Sequence, residues 1–176
     1  MALTNRSAFK PGGYDMHRIV KILLILSVAM WGTLGAFGNF DDWEGTKGAV
    51  EATTSMVTFE ESLAHWRATS NTVIIMIGAV LIPFLKLLTA ALCFLGAWKM
   101  WGARKADAAV FHRASYWALT GCGVAMFMLF AGWIVIAETW FELWRSDVLR
   151  DASLQAAFRY CGMIGVIALF VGMRED

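Results

Sequence analysis

A long apolar run from Thr72 to Trp98 constrains the fold of this chain more than any other feature. It contains one proline, Pro83, and one charge, Lys86. Because about 20 apolar residues suffice for a helix to cross a bilayer, the run predicts a transmembrane helix that tilts, bends or protrudes. Lys86 is expected close to mid-membrane, where an ammonium costs about 2.5 to 3.5 kcal/mol on insertion scales and needs a partner.

The composition extends this prediction to the whole chain. The 176 residues are 59% hydrophobic and only 16% charged, whereas an average soluble protein has about 25% charged residues. The net charge is +1 and the basic residues are scattered, so we expect no nucleic-acid partner. The three cysteines fall in apolar runs at spacings that match no metal motif, so we expect neither a disulfide framework nor a metal, and no cofactor.

Four apolar runs predict the fold class, an all-α membrane protein whose four-helix bundle is one domain over residues 1–176. The spans are expected at 19–39, 72–98, 115–141 and 156–173. The segments before the first span and between the second and third are basic, which predicts that both termini are cytoplasmic. A cleaved signal peptide ending near Ala36 or Gly38 is the alternative for the first span, but its polar leader and apolar run are long for one.

The loop Phe40 to Ser70 is predicted to lie on the outer side, because it has six acidic residues against Lys47 and Arg67. Thr58 and Glu61 have the spacing of a capping box. Phe59, Leu63 and Trp66 then form one apolar stripe at helical spacing. The pattern predicts a short interfacial helix in this loop.

Small residues recur at helical spacing on all four predicted spans, and such faces let helices approach closely. They are Gly32 and Ala36, then Ala79, Ala90, Cys93 and Ala97, then Gly121 and Ala125, and finally Cys161, Gly165, Ala168 and Gly172. Tryptophans near the span ends are typical of interface anchors. They are Trp66, Trp98, Trp101, Trp117, Trp140 and Trp144.

Lys86 shares the small-residue face of the second span, so it is expected to point at a neighbouring helix. Pro83 predicts a kink and leaves the carbonyl of Ala79 without its helical donor. The candidate partner is Glu138 on the third span, which an ideal helix rise places about 13 Å further out than Lys86. Side chains leaning towards the helix N-termini close most of that gap. The alternatives are that backbone or water satisfies Lys86 and that Glu138 faces outer water.

Several segments resemble an uncharacterised family of predicted small integral membrane proteins from proteobacteria. The resemblance rests on Gly38-Asn39-Phe40-Asp41-Asp42, on Leu88 to Trp98, and on Trp140-Phe141 to Trp144 followed by Ala156-Ala157-Phe158-Arg159. It covers nearly the whole chain after the leader. It implies four spans and no agreed activity.

These patterns favour a non-catalytic accessory or assembly subunit of a larger inner-membrane complex, in contact with lipid and other subunits. A homo-oligomer is one form such an assembly can take. The alternative is a small transporter or proton-conducting protein that uses Lys86 and Glu138, since ionisable residues inside spans are functional candidates. A minor alternative is a b-type haem protein with His17 and His112 as ligands.

Overall fold

The computed structural model describes residues 12–59 and 65–174. Four of its helical stretches are long and apolar enough to cross a membrane. They are the first span Met16–Asp41, the second Thr72–Ala103, the third Ala108–Trp140 and the fourth Arg150–Gly172. The all-α, four-span prediction is thereby confirmed, and each span extends beyond its predicted bounds at one end or at both.

The described residues form six α-helices and two π-helical segments, and all of these except α2 belong to the spans. In chain order these are α1 Gly12–Asp41, α2 Trp43–Thr54, α3 Thr72–Ala103, α4 Ala108–Ala114, α5 Tyr116–Phe127, the π-helical segment Met128–Trp140, the π-helical turn Arg150–Leu154 and α6 Gln155–Gly172. A 3₁₀ turn, Leu143–Arg145, lies between the two π-helical segments. Pro83 lies inside α3, which runs through it as one helix.

Small residues set how the helices pack. Helix α1 packs on α3, α3 packs on α5, and α5 packs on α6, which also contacts α1. A methyl group added at Gly96 of α3 would lie 2.3 Å from the backbone nitrogen of Ala118 on α5. Backbones this close leave no room for larger residues, so the core at this level is made of small side chains. Cys93, Cys122 and Ala125 are fully buried there.

The two ends of the bundle differ in charge. The end that carries Lys21, Arg104 and Arg174 is called the basic end, and the end that carries α2 and Glu142 is called the acidic end. Helices α1 and α5 run from the basic end to the acidic end, and α3 and α6 run in the opposite direction.

The helix described in the first loop is α2, which follows α1 after a break at Asp42. The Asp42 carboxylate accepts a hydrogen bond from the backbone amide of Gly45 and caps the new helix. The predicted helix from Thr58 to Trp66 falls largely on residues 60–64, outside the described residues. Trp66 itself lies in a turn and is 80% exposed.

The third span changes from α-helix to π-helix at Met128. The Thr139 hydroxyl donates to the carbonyl of Ile134, five residues back, as π-helical winding allows. The main contacts of this segment are with α6, α5 and the turn Arg150–Leu154. The second span therefore has α1 as its main neighbour towards the acidic end.

Candidate functional site: Lys86 between the first and second spans

The Lys86 ammonium is bound by the first span. Its Nζ donates to the Asn39 Oδ1, 2.6 Å away, and to the Gly35 carbonyl oxygen, 3.3 Å away. The Asn39 amide nitrogen donates in turn to the Thr46 hydroxyl, 2.9 Å away on α2. Lys86 thus connects three consecutive helices through one short polar chain.

Two glycines of α1 make this contact sterically accessible. A methyl group added at Gly32 would lie 2.6 Å from the Lys86 carbonyl oxygen, too close for any side chain to fit without backbone movement. One added at Gly35 would lie 3.2 Å from the Lys86 Cδ. The small-residue spacing of the first span predicted that Gly32 lies at a helix contact. It did not identify Gly35 and Asn39 as the residues that bind Lys86.

The Lys86 ammonium lies near the acidic end of the first span and not midway along it. Lys86 packs beside Gly35, but its head group reaches Asn39, two residues before α1 ends at Asp41. The direction fits the general lean of helical side chains towards the helix N-terminus, which for α3 is the acidic end. From Lys21 to Asp41 helix α1 rises about 30 Å, the thickness of the hydrocarbon. Lys86 thus reaches towards the end of the first span, as a snorkelling lysine does, and the depth of its charge in a membrane stays a prediction.

The predicted pair between Lys86 and Glu138 is not formed. Glu138 is half-buried in the π-helical segment, and its side chain has no hydrogen bond or ion pair with the residues that the structure describes. The reason is the packing of the spans: Lys86 faces α1, whereas the segment that carries Glu138 packs mainly on α6 and α5. The sequence estimate compared depths along the helices and had no information on which helices are neighbours.

The predicted small residues lie at helix contacts. Those on α1, α3 and α5 are buried: Gly32, Ala36, Ala79, Ala90, Cys93, Ala97, Gly121 and Ala125. Those on α6 are half-buried and line its contact with α5: Cys161, Gly165, Ala168 and Gly172. Gly172, for example, faces Leu119, whose Cδ1 lies 3.7 Å from the position of an added methyl group.

Two basic residues of α1 cap the C-termini of two other spans, a role that the sequence reasoning missed. Arg18 donates to the carbonyls of Arg104 and Ala106 at the end of α3, at 2.8 and 2.6 Å. Lys21, which is 1% exposed, donates to the Met173 carbonyl at the end of α6, 2.8 Å away. Cations are favourable at helix C-termini, where carbonyls lack partners. The two residues had been interpreted only as topology signals, because nothing in a sequence shows where other helices end.

A second missed cluster joins the first loop to the end of the third span. The Glu142 carboxylate pairs with Arg67 and, at 3.1 Å, with Arg145. The Arg67 guanidinium lies 5.9 Å from the ring centre of Trp66 and 5.6 Å from that of Trp140. Glu142 has φ of 53°, a left-handed conformation that few non-glycine residues adopt. Hydrogen bonding from Arg145, and then from Arg67, lowers the pKa of Glu142 below its ordinary value.

The six tryptophans predicted as interface anchors lie at the two ends of the bundle, three at each end. Trp98, Trp101 and Trp117 lie at the basic end, and Trp66, Trp140 and Trp144 at the acidic end, all with exposed or partly exposed rings. Their role as membrane-interface anchors stays a prediction. Of the histidines proposed for haem, His17 packs edge-on against Phe170 with ring centres 5.1 Å apart.

Within residues 12–59 and 65–174, no group of three or more histidine, cysteine or acidic residues could hold a metal ion. The three cysteines are free thiols.

The four apolar helices fit the description of the family that the chain matches. The model of a family described as "predicted small integral membrane protein (DUF2165)" matches residues 17–174. The chain belongs to this family. The match includes all four spans and both the Lys86 contact and the Glu142 cluster. No curated protein and no solved structure matches the chain significantly.

Proposed function

We propose that this protein is a non-catalytic accessory or assembly subunit of a larger complex in a bacterial inner membrane. The observation that carries the proposal is that basic side chains of the spans bond to other helices of the same bundle. Lys86, Lys21 and Arg18 each donate to backbone carbonyls of neighbouring helices. These charges hold the bundle together, which is the role expected of a structural subunit.

An outward-facing glycine surface supports contact with other subunits. Gly123 on α5 and Gly162 on α6 are exposed, and a methyl group added at either would meet nothing within 4 Å. Both positions are therefore open to the surroundings of the bundle. Exposed glycines in spans allow the backbone of another helix to approach closely.

Native electrophoresis in a mild detergent tests the proposal. The tagged chain, extracted from its own cells, is expected to migrate in a complex several times its own mass of 19.5 kDa. Gly123→Leu with Gly162→Leu should shift it to the monomer position, because the leucines occupy the space of a neighbouring helix. The matched control is Gly38→Leu, at an equally open glycine of α1. A wild-type chain that migrates as a monomer in every mild detergent contradicts the proposal.

The orientation that accompanies this proposal places the basic end and both termini in the cytoplasm. The support is the excess of lysine and arginine at that end. Cysteines placed at Gly45 and Ala103 distinguish the two orientations. In intact spheroplasts an impermeant thiol reagent should label the cysteine at Gly45 and leave the one at Ala103 unlabelled, whereas the opposite pattern would reverse the topology.

A transport role for Lys86 and Glu138 receives less support. A conducting pair needs the two groups in one pathway. Lys86 faces α1 and Glu138 lies on the segment packed against α6, so the two side chains share no site among the described residues.

A further inference from the structure

Two exposed cations at the basic end lie on one outward face of the α3–α5 pair. The Lys99 ammonium on α3 lies 5.7 Å from the ring centre of Trp117 on α5. Arg113 on α4 precedes Trp117 by four residues, one helical turn, in a stretch that continues almost without a break from α4 into α5. Lys99, Arg113 and Trp117 are all exposed.

The packing of the two helices places these residues at one level. Gly96 packs against Ala118 and Cys93 against Gly121, so α3 and α5 run antiparallel in a fixed register. Extending that register by one turn sets Lys99 beside the junction of α4 and α5, between the levels of Trp117 and Arg113. Lys99 therefore lies at a depth between those of Trp117 and Arg113.

Neither cation forms an ion pair with any residue in the ranges 12–59 and 65–174. Lys99 has the ring of Trp117 as its contact, and Arg113 has no ion pair or hydrogen bond with any residue of the described part. The nearby carboxylate of Asp107, in the turn between the second and third spans, makes no capping bond and no ion pair within the same residues. This distinguishes Lys99 and Arg113 from Arg18 and Lys21, whose charges are used at helix ends.

The depth of the face matches that of lipid phosphate groups. By the close packing of α1 on α3, Lys99 lies near the level of Lys21 and Ile22, where the charged residues of α1 end and its apolar run begins. Arg113 lies further towards water. Basic residues at the ends of spans attract anionic lipid head groups, and tryptophan favours the same depth.

We propose that Lys99, Arg113 and Trp117 form a binding site for the head group of an anionic phospholipid. The phosphodiester lies between the ammonium and the guanidinium, and the acyl chains follow the apolar outer face of α3 and α5. A zwitterionic lipid carries its own cation, which offsets the attraction, so the site discriminates by net charge.

Native mass spectrometry of the detergent-solubilised protein measures this binding directly. Three probes are titrated: phosphatidylglycerol, phosphatidylcholine with the same acyl chains, and inorganic phosphate. Phosphatidylglycerol should bind the wild-type protein most tightly. Lys99→Ala or Arg113→Ala should weaken it about five-fold each, as expected for one basic residue near a charged surface. Phosphatidylcholine binding should change less than two-fold.

The control variant removes one positive charge at the basic end, outside the proposed site. Lys105 is exposed in the turn after α3, and Lys105→Ala should leave phosphatidylglycerol binding within two-fold of the wild type. An equal loss for Lys105→Ala overturns the proposal, since the effect would then be general electrostatics. Inorganic phosphate binding as tightly as the lipid also overturns it. Lys99→Gln, which keeps most of the side-chain length without the charge, should weaken phosphatidylglycerol binding as much as Lys99→Ala does, and this separates lost charge from altered folding.

Discussion

The contact between Lys86 and Asn39 can be measured by replacing each residue alone and then both together. Lys86→Met removes the donor and leaves the Asn39 oxygen without its partner at 2.6 Å. Asn39→Leu leaves the ammonium with the Gly35 carbonyl alone, at 3.3 Å. Hydrogen bonds to charged groups contribute about 1.5 to 3 kcal/mol, so each single variant should lose at least that much stability.

The double variant distinguishes the contact from the two side chains taken separately. Lys86→Met with Asn39→Leu removes both polar groups, so neither is left without a partner. Its loss should be smaller than the sum of the single losses by about 1.5 to 3 kcal/mol, which is the coupling energy. The free energy of unfolding is measured by titrating sodium dodecyl sulphate into maltoside micelles and following tryptophan fluorescence.

The same cycle with Glu138 provides the comparison. Because Glu138 has no bond with Lys86, Lys86→Met and Glu138→Gln should lose stability additively, to within about 0.5 kcal/mol. The reasoning is refuted if the Lys86 and Asn39 variants prove additive. A large coupling between Lys86 and Glu138 would show that the spans are arranged differently from the structure.

Three further predictions use the same unfolding assay. Gly32→Ala should lower the free energy of unfolding by about 1 to 3 kcal/mol, because its methyl group would lie 2.6 Å from a backbone carbonyl oxygen. Gly38→Ala, in open space, should be neutral or stabilising. Equal effects of the two variants would contradict the close approach of the first two spans. Lys21→Met should lose about 1 to 3 kcal/mol through the uncapped end of the fourth span, and Arg174→Met, exposed at the same end, less than about 0.5 kcal/mol. The lowered pKa of Glu142 means that its stabilisation is present above its unfolded pKa of about 4.3 and is lost as pH falls through the lower folded value. Glu142→Gln should therefore be less stable than the wild type at pH 7, with the difference shrinking below pH 4.3; a constant difference would mean that the carboxylate is not held by its cations.

The Lys86 site shows which parts of a helix contact can be predicted from local sequence patterns and which cannot. The small face of α3 was predictable, because helical spacing alone aligns Ala79, Ala90 and Cys93 with Lys86. The conclusion that Lys86 needs a partner followed from its place in an apolar run. The identity of the partner did not follow, because Asn39 is distant in sequence and polar side chains at span ends are common.

The Glu142 cluster had a partial signal in the sequence. Glu142 and Arg145 are three residues apart, a spacing that places them on one side of a helical turn. The participation of Arg67 from the first loop could not be inferred, since it depends on how that loop folds over the third span. The left-handed conformation of Glu142 likewise follows from the end of the π-helical segment and not from its own residue type.

The sequence by itself determined that this chain has four membrane-spanning helices, where they lie and which of their faces are small. The physical reason is that the bilayer requires long apolar runs with internally bonded backbones, a local property that residue order records directly. Only the tertiary structure decided which spans are neighbours, and with that the bonding of Lys86 to Asn39 and of Lys21 to the end of α6. Lipid and helix surfaces are both apolar, so neighbours are selected by the fit of glycines and by single hydrogen bonds between residues far apart in the chain.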